Sequence, residues 1–440
     1  MKKILILGAG LVARPLVRYL LDQPDFRVEV ASRTVSKAEK LIEGHPRGVA
    51  KELNLKNEEI LKEEISKTDL AISLVPYAFH PKVAEYCIAF KKHMVTTSYV
   101  SEAMKKLDEA AKKAGILILN EVGLDPGIDH MEAMRIIHEA EVKGGVIDGF
   151  ISYCGGLPAP EANTNPFGYK FSWSPIGVLL AGKNSAEFLM DGKDVFISSE
   201  KLFESYVIKN IPGLGDFEAY PNRNSTPYIE LYGIPKTKTM LRGTLRNLGW
   251  CKTIKKMVDL GLLDQTEKDW MGMTYSGFLR RVMNSPAEKD LKKALAAAIK
   301  LEPDDPVIKR FEWLGLLSDE KLTLEKGSAL DIIGARMIEK LKFEPGERDL
   351  IILQHQFDVT YSGSKKERIT STLIDYGIPY GDSAMARTVG LPAAIGTRLI
   401  LQGKIKEKGV HIPVRPEIYK PILKELKTMG ISFTEKKEKI

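Results

Sequence analysis

Residues 1–21 read MKKILILGAGLVARPLVRYLL, and residues 27–34 follow with RVEVASRT. An apolar run of strand type leads into a Gly-Ala-Gly turn, and a helical pattern of leucines precedes the second strand-like run. Gly8 suits a tight turn, Gly10 lets backbone N–H groups approach a pyrophosphate, and the small Ala13 lets the helix pack close to the strand. This order of strand, glycine turn, helix and strand predicts the first half of a dinucleotide-binding unit.

The residues at the end of the second strand indicate which dinucleotide is expected. An NAD site usually has an acidic residue there for the ribose hydroxyls, whereas this chain has Ser32, Arg33 and Thr34. The planar guanidinium of Arg33 can stack on adenine and bind a 2′-phosphate through two hydrogen bonds. Glu29, earlier in the same strand, is the acidic alternative. We therefore expect NADP rather than NAD.

Length and composition are those of an ordinary globular protein with two or three domains. Of 440 residues, 44% are hydrophobic and 28% charged, and the net charge is +7. No apolar run is long enough to cross a bilayer, and no motif supports nucleic-acid binding. The three cysteines lie far apart, which fits neither a disulfide framework nor a zinc site, so no metal is expected. We expect a cytoplasmic protein that binds small molecules, with a homodimer as one open alternative.

Apolar runs and helical patterns continue to alternate up to residue 127. Strands are predicted at 69–76, 93–97 and 116–119, with a helix after each of the first two. The pattern predicts an α/β fold whose first domain is doubly wound and of Rossmann type. Polar residues follow several strands, at the edge where cofactor and substrate meet in such sheets.

The rest of the chain predicts an α/β substrate domain and a helical insert domain. A strand at 147–153 precedes loops rich in Asn, Gly, Pro and aromatic residues, which are typical of functional segments. Residues 253–340 have a helical pattern with a capping box at 285–288, and a β-hairpin is predicted at 350–374. The charged residues 435–439 are expected to be frayed. The predicted domains are a dinucleotide-binding domain at 1–127 with 381–405 packed against it, a substrate-binding domain at 128–252 and 341–380, a helical domain at 253–340, and a C-terminal extension at 406–440.

Several longer motifs resemble the NADP-dependent, glutamate-forming saccharopine dehydrogenases, also called saccharopine reductases. The motifs are ISLVPY at 72–77, VTTSYVS at 95–101, GLDPGIDH at 123–130, SYCGGLPAPE at 152–161, NPFGYKFSWSP at 165–175 and RGTLR at 242–246. The resemblance covers nearly the whole chain and implies a variant Rossmann domain, an α/β substrate domain and a helical third domain. It also implies a stand-alone oxidoreductase of lysine metabolism. Such an enzyme interconverts saccharopine with L-glutamate and α-aminoadipate semialdehyde, using NADP(H).

The resemblance implies roles for individual residues as well. The implied cofactor contacts are Gly8, Gly10 and Val12 at the glycine turn, Ser32, Arg33 and Thr34 at the adenosine end, Val75, Thr97, Ser98 and Leu124 on the nicotinamide side, and Ser174 from the second domain. The implied substrate contacts are Ser98, Tyr99, Asp125, Arg223, Thr244 and Arg246.

The chemistry of amine oxidation followed by imine hydrolysis requires acid–base catalysis, because each step moves a proton. Asp125 is the first candidate for the catalytic group, and its alternative role is that of a turn-forming aspartate. Tyr99 and Cys154 are second candidates that could equally line the site. His130 fits a structural role as well as a catalytic one.

Arginines are natural ligands for the three carboxylates of saccharopine, which favours Arg223, Arg242 and Arg246, although a surface ion pair is the alternative for each. Two other functions remain open. A carboxynorspermidine-type dehydrogenase of polyamine metabolism would need acidic residues where Arg223 and Arg246 stand. A non-catalytic NADP-sensing protein would lack polar residues at the strand ends.

Overall fold

The computed structural model describes residues 1–285 and 289–440. Contacts within the chain divide it into two compact units. Unit 1 consists of Met1–Ile147 and Val359–Ile440, and unit 2 consists of Asp148–Asp358. The division into four parts predicted from the sequence stays a prediction.

The first segment of unit 1 alternates strands and helices. Its elements are β1 (Lys2–Leu7), α1 (Ala13–Asp22), β2 (Phe26–Ser32), α2 (Val35–Ile42), β3 (Gly48–Glu52), α3 (Glu58–Ser66), β4 (Leu70–Ser73), α4 (His80–Ala89), β5 (His93–Thr96), α5 (Glu102–Lys105), α6 (Asp108–Ala114), β6 (Leu117–Leu119), α7 (Ile128–Val142) and β7 (Val146–Pro158), which continues into unit 2. The strands predicted before residue 127 are confirmed. One further strand, β3, was not predicted, because its partly exposed residues form no apolar run.

Unit 2 combines a mixed sheet with a helical region. Its elements are α8 (Pro175–Ala181), β8 (Ala186–Met190), β9 (Lys193–Ile197), β10 (Val207–Ile211), β11 (Gly215–Pro221), α9 (Pro227–Leu231), β12 (Thr239–Arg246), α10 (Trp250–Asp259), β13 (Lys268–Asp269), α11 (Tyr275–Val282), α12 (Leu291–Ala298), α13 (Pro306–Trp313), β14 (Lys326–Gly327), α14 (Ala329–Lys340) and β15 (Asp349–Thr360), whose last two residues belong to unit 1.

The chain then completes unit 1 with β16 (Lys366–Tyr376), α15 (Ala384–Leu401), β17 (Gly409–His411), α16 (Pro416–Thr428) and β18 (Phe433–Lys439). In the part of the chain that the structure describes, no helix is both long and apolar enough to cross a membrane.

A parallel sheet forms the centre of unit 1. Its strand order is β3-β2-β1-β4-β5-β6-β17, and every pair in it is parallel. The first six strands have the order of the doubly wound dinucleotide-binding fold, so the predicted Rossmann-type domain is confirmed. The order reverses between β1 and β4, and the crevice at the carboxyl ends of these strands is where such folds bind ligands. The edge strand β17 was not predicted.

Helix α15 packs against α1 within unit 1. A Cβ atom built on Gly390 would lie 2.9 Å from the carbonyl oxygen of Val12 and 3.3 Å from the backbone nitrogen of Leu16. A glycine at this position therefore lets the backbone of α15 approach the beginning of α1 more closely than any other residue would.

The sheet of unit 2 is centred on β12, which pairs in parallel with β7 and antiparallel with β11 and β8. The strand predicted at 147–153 is longer in the structure, because β7 runs on to Pro158. The glycines there suggested a turn, but Gly155 is needed for close packing. A Cβ atom built on it would lie 2.9 Å from the Cβ of Leu245 on β12.

The helical character predicted for 253–340 is confirmed by α10 to α14, apart from the short strands β13 and β14. Part of the predicted capping box, residues 286–288, lies outside the described residues. The helix that follows begins at Leu291, and Asp290 caps it by accepting a 3.1 Å hydrogen bond from the backbone N–H of Lys293.

The expectation of a frayed C-terminal end is wrong. Strand β18 pairs antiparallel with β16 from Leu373↔Phe433 to Glu367↔Lys439. Its Glu435 also forms an ion pair with Arg135 on α7. This strand has no signature in the sequence, because exposed charged residues have no local apolar signal and the pairing partner is distant in the chain.

Candidate functional site

The glycine turn after β1 has the geometry of an anion-binding site. Gly8 has φ +116°, and a Cβ atom there would lie 2.9 Å from the carbonyl oxygen of Leu74, so only glycine fits. A Cβ atom on Gly10 would meet no protein atom within 4 Å, which leaves the space before its backbone open. Val12 stands at the N-cap of α1 and provides no side-chain cap. The N–H of Ala13 donates a 3.2 Å hydrogen bond to the carbonyl oxygen of Gly10, whereas the N–H of Arg14 has no backbone acceptor among the described residues and is available to a pyrophosphate.

The adenosine-end candidates lie where the sequence placed them, at the carboxyl end of β2. Ser32 is the last residue of that strand, and Arg33 and Thr34 follow it with exposed side chains. The hydroxyl oxygen of Ser32 accepts a 3.2 Å hydrogen bond from the backbone N–H of Thr34. An exposed guanidinium at this strand end fits a 2′-phosphate.

Glu29, the acidic alternative, is engaged elsewhere. Its side chain is buried in β2 and lies 3.1 Å from Nζ of Lys3 and 2.9 Å from Nζ of Lys51. Burial alone would raise the pKa of Glu29, but the two lysines lower it further than burial raises it. Because both lysines neutralise this carboxylate, the alternative of a ribose-binding acidic residue in β2 loses its support.

The candidates for the nicotinamide side follow β4, β5 and β6, at the same sheet edge as the glycine turn. Leu7 pairs with Ser73 and Ser73 with Thr96, so the residues that follow these strands are neighbours. Val75 and Thr97 are half-buried there, and Leu124 is buried in the loop after β6. The structure therefore brings these candidates together within unit 1.

Tyr99 and Asp125, the two acid–base candidates of unit 1, are in contact. The hydroxyl of Tyr99 donates a 3.0 Å hydrogen bond to Oδ1 of Asp125, and both side chains are half-buried. Glu121 holds the two loops that carry them. Its Oε1 accepts a 2.9 Å hydrogen bond from the N–H of Val100, and its Oε2 lies 2.7 Å from Nε2 of the fully buried His130. This contact favours the structural role for His130.

Ser98 contacts a histidine, His80, that no sequence motif indicated. Its hydroxyl oxygen lies 2.8 Å from Nε2 of His80, and Nδ1 of the same ring lies 2.8 Å from the hydroxyl oxygen of Ser73. Burial lowers the pKa of His80 to about 4. No spacing in the sequence links residues 73, 80 and 98, so this contact depends on the fold.

In unit 2, the strand register aligns Cys154 with Thr244 across β7 and β12, and Thr244 with Tyr220 across β12 and β11. Directly paired residues point to the same face of a sheet, and so does the residue two positions further on, Arg246. The structure thus brings Cys154, Thr244 and Arg246 to one face. Burial raises the pKa of Tyr220, the aromatic neighbour in this row, to about 12.

Arg246 is a buried arginine that forms no ion pair with a carboxylate of the described residues. Its guanidinium lies over the rings of Tyr169 and Trp250, with its Cζ atom 5.0 and 5.6 Å from their centroids, and Nη1 donates a 2.8 Å hydrogen bond to the carbonyl oxygen of Leu245. Its Nε has no hydrogen-bond partner. The carboxylate of Glu218, which β11 places opposite Arg246, accepts hydrogen bonds from the backbone N–H groups of Gly249 and Cys251 instead. Since an unbalanced buried charge is costly, this arrangement is typical of a site for an anionic ligand.

The other candidates of unit 2 lie in loops and at helix starts. Arg223 is exposed after β11 and has a positive φ of +57°. Ser174 is the N-cap of α8, and its hydroxyl oxygen accepts a 3.3 Å hydrogen bond from the N–H of Gly177. Arg242 is buried, and its Cζ lies 4.3 Å from the ring centroid of Tyr228. Among the described residues, no group of three or more His, Cys, Asp or Glu side chains is arranged to hold a metal ion.

A glycine turn at the switch point of this parallel sheet, with hydroxyl and carboxyl groups at the same edge, defines a dinucleotide-binding protein of Rossmann type. Residues 4–119 match the family model described as "Saccharopine dehydrogenase NADP binding domain", and residues 123–431 match "Saccharopine dehydrogenase C-terminal domain". The chain belongs to the saccharopine dehydrogenase family.

Individual relatives agree with this assignment. The chain is 43% identical to a "Saccharopine dehydrogenase [NADP(+), L-glutamate-forming]" of Pyricularia oryzae, over 99% of each chain. It is 40% identical to the bovine "Alpha-aminoadipic semialdehyde synthase, mitochondrial". This match covers 98% of the present chain and 47% of the bovine protein. The solved structure of the apo L-Glu-forming saccharopine dehydrogenase from Saccharomyces cerevisiae matches all of both chains with a TM-score of 0.89 and 41% identity.

Proposed function

We propose that this chain is an NADP-dependent, L-glutamate-forming saccharopine dehydrogenase of lysine metabolism. It interconverts saccharopine, NADP⁺ and water with L-glutamate, α-aminoadipate semialdehyde and NADPH. The observation that carries the proposal is the 43% identity to a relative of that name over 99% of both chains. The unbalanced guanidinium of Arg246 supports an anionic substrate.

The residues of unit 1 fit NADP. The open space in front of Gly10 would accommodate a pyrophosphate, and a free backbone N–H group at the start of α1 would donate to it. Arg33, exposed at the end of β2, would hold the 2′-phosphate. When bound, NADP accepts the hydride that leaves the carbon beside the secondary amine of saccharopine. Val75, Thr97 and Leu124 would line the nicotinamide side, as the family resemblance implies.

The chain's own part in the chemistry is proton transfer. Loss of hydride from the carbon and of the proton from the nitrogen converts the amine to an imine, water adds to the imine carbon, and the carbinolamine then breaks into aldehyde and the amino group of glutamate. Each step needs a group that accepts or donates a proton near the nitrogen or the attacking water. Asp125 is the proposed proton-transfer group, and the hydroxyl of Tyr99 orients its carboxylate through the 3.0 Å hydrogen bond. Cys154 stays the alternative, on the same sheet face as Thr244.

Substrate carboxylates are the proposed partners of the arginines in unit 2. Arg246 is held in place by two aromatic rings and by the carbonyl oxygen of Leu245, so its remaining donors are preorganised for a carboxylate. Thr244 on the same face would donate to the same ligand, and Arg223 is the proposed second clamp. A polyamine substrate would be repelled by an uncompensated guanidinium, so the alternative of a carboxynorspermidine-type enzyme gains no support.

The test is a spectrophotometric assay of the purified chain with saccharopine, comparing NADP⁺ with NAD⁺ and measuring the released amino acid. We expect NADPH to form only when saccharopine is present, together with glutamate. Release of lysine in place of glutamate would mean that the opposite C–N bond is cleaved and would contradict the proposal. Protein that binds NADPH but oxidises no saccharopine would also contradict it.

The partners and compartment follow from the same proposal. The substrates are small molecules, and we propose the cytoplasm as the compartment, since the three cysteines of the chain suit a reducing environment. A homodimer is the proposed assembly, and light scattering of the purified chain at several concentrations tests it.

A further inference from the structure

Ser98, His80 and Ser73 form a hydrogen-bonded triad of polar side chains. Ser73, at the end of β4, is fully buried, and His80, at the start of α4, is 2% exposed, whereas Ser98 after β5 is only half-buried. The two 2.8 Å contacts of the His80 ring connect the hydroxyls of the two serines. Of the three residues of this triad, only Ser98 therefore reaches the accessible edge of the sheet.

The ring of His80 is neutral at physiological pH. Its pKa is lowered to about 4 by burial, and its two hydrogen-bond partners are hydroxyls rather than carboxylates. A neutral imidazole has one N–H donor and one acceptor nitrogen. If one serine donates to the ring, the ring must donate to the other serine. Both hydrogen bonds of the triad therefore have the same donor-to-acceptor direction, either from Ser73 to Ser98 or from Ser98 to Ser73.

The surroundings of Ser73 select the direction. If Ser98 donated to Nε2, then Nδ1–H would donate to Ser73, and the hydroxyl proton of Ser73 would need a further acceptor. Within the described residues, the hydroxyl of Ser73 has no hydrogen bond other than that with His80, and full burial keeps it from water. A buried donor without an acceptor is the costlier arrangement. In the opposite direction Ser73 donates to Nδ1 and Nε2–H donates to Ser98, so the two buried hydrogen bonds use every proton of Ser73 and the ring.

We propose that His80 is a positioning residue whose Nε2–H tautomer makes Ser98 a hydrogen-bond donor to the bound ligand. The hydroxyl proton of Ser98, which takes no part in either hydrogen bond of the triad, then points toward the open edge of the sheet. Ser98 consequently faces an acceptor oxygen, either the carboxamide oxygen of the nicotinamide or a substrate carboxylate, and not an ammonium group. The identity of these two ligands rests on the proposed function, whereas the tautomer does not.

The tautomer can be measured without any activity. The full chain, labelled with ¹⁵N at its seven histidines, gives two-bond ¹H–¹⁵N correlations from which the protonated ring nitrogen is read directly. The H80Q variant identifies the His80 signals by their loss. We expect Nε2 protonated and Nδ1 bare near neutral pH. A protonated Nδ1 with a bare Nε2 would overturn the inference, as would a doubly protonated ring.

Matched substitutions test the role in catalysis. In H80Q the amide takes the place of Nε2 and can still donate to Ser98, whereas the shorter side chain in H80N takes the place of Nδ1 and loses that contact. We expect H80N to lower kcat/KM for saccharopine about tenfold or more and H80Q to lower it by less than about threefold. Equal losses in both variants would point to packing alone and would contradict the proposal.

A double-mutant cycle with S98A separates positioning from packing. If His80 acts through Ser98, then H80N should cause no further loss of kcat/KM in the S98A background, while a structural role would cause the same loss in both. S98A also reveals which oxygen is contacted. A raised dissociation constant for NADPH indicates the carboxamide, and a raised KM for saccharopine indicates the substrate carboxylate. A change in neither would overturn the proposal.

The outcomes for the two proposals can be distinguished. If the wild-type chain does not oxidise saccharopine, the proposed function fails, and the ¹⁵N spectrum together with NADPH titration of S98A still tests the role of His80. If H80N does not fold, the spectrum of the wild-type chain decides the tautomer.

Discussion

The hydroxyl of Tyr99 donates a 3.0 Å hydrogen bond to Oδ1 of Asp125, although the two residues follow different strands of the sheet. The contact orients a carboxylate at the edge where this fold binds its ligands. Glu121 stabilises the two loops that carry this pair, because one of its carboxylate oxygens accepts from the N–H of Val100 and the other contacts His130 at the start of α7. We therefore expect this pair to act as one unit in catalysis.

The first prediction concerns this pair. Asp125→Asn should lower kcat by about 10²- to 10⁴-fold, because it removes the proposed proton acceptor while it keeps the shape of the side chain. Tyr99→Phe should lower kcat less, and neither change should alter the dissociation constant for NADPH more than a few-fold. Tyr86→Phe is the matched control, because Tyr86 also donates to a carboxylate, Glu58, away from the sheet edge. Unchanged turnover in D125N would remove Asp125 from the mechanism.

The second prediction concerns the choice of cofactor. Arg33→Ala should raise the dissociation constant for NADP⁺ by roughly 10- to 100-fold, because it removes charge-assisted hydrogen bonds to the 2′-phosphate, and should change that for NAD⁺ far less. Both constants are measured by titration of the same variant. Arg27→Ala is the control, since Arg27 is exposed on the same strand but near its other end. Equal effects on both cofactors would refute the role of Arg33.

The third prediction concerns the unbalanced charge in unit 2. Arg246→Met should raise KM for saccharopine at least tenfold or so, because a carboxylate loses its charged partner. The free energy of unfolding should stay the same or rise, because a buried charge without a counter-ion is removed. Urea unfolding of the variant measures it.

Arg336 provides the matched control for Arg246. It is also buried and lies over an aromatic ring, that of Tyr275, but it forms ion pairs with Glu320 and Glu339. Arg336→Met should therefore lower the free energy of unfolding by about 1–3 kcal/mol and leave KM unchanged. A loss of stability in R246M as large as that in R336M would argue against an uncompensated charge at Arg246.

The fourth prediction concerns pH. The pKa of His80 falls from 6.5 to about 4 on folding, so the unfolded state binds the proton more tightly. Stability from the neutral ring is therefore fully present above about pH 6.5 and is lost as the pH falls toward 4, by on the order of 3 kcal/mol. The H80Q variant has no such titration. The difference in unfolding free energy between wild type and H80Q should shrink over this interval, and a constant difference would show that His80 is not desolvated.

The fifth prediction concerns the packing of α15 on α1. Gly390→Ala should lower the free energy of unfolding by about 1–3 kcal/mol, because the new Cβ would press on the carbonyl oxygen of Val12. It should also weaken NADPH binding, since Val12 belongs to the glycine turn. Gly396→Ala in the same helix is the control. Outside the helix's own backbone, its Cβ would meet no atom closer than 3.5 Å, and the substitution should stabilise the helix by about 0.5–1 kcal/mol. Weaker NADPH binding in G396A of the same size would contradict this account.

The sequence predicted the parallel domain of unit 1 well, because its signals are local. Apolar runs mark buried strands, and the residues that follow them must lie at one edge of a parallel sheet. The failures came from elements without such a signal. Strand β18 carries charged residues and forms only because β16 supplies its partner, and β7 continues through glycines because β12 lies close beside it.

The sequence by itself determined the glycine turn and the choice of NADP, and it supplied the candidates for proton transfer. These follow from backbone conformation and side-chain chemistry at fixed spacings. Only the tertiary structure decided which polar groups meet. It joined Ser98 to Ser73 through His80 and turned Glu29 toward two lysines. It also buried Arg246 without an ion pair to any carboxylate of residues 1–285 and 289–440. The physical reason is that burial and hydrogen-bond pairing depend on residues far apart in the chain, which come into contact only once the sheets have formed.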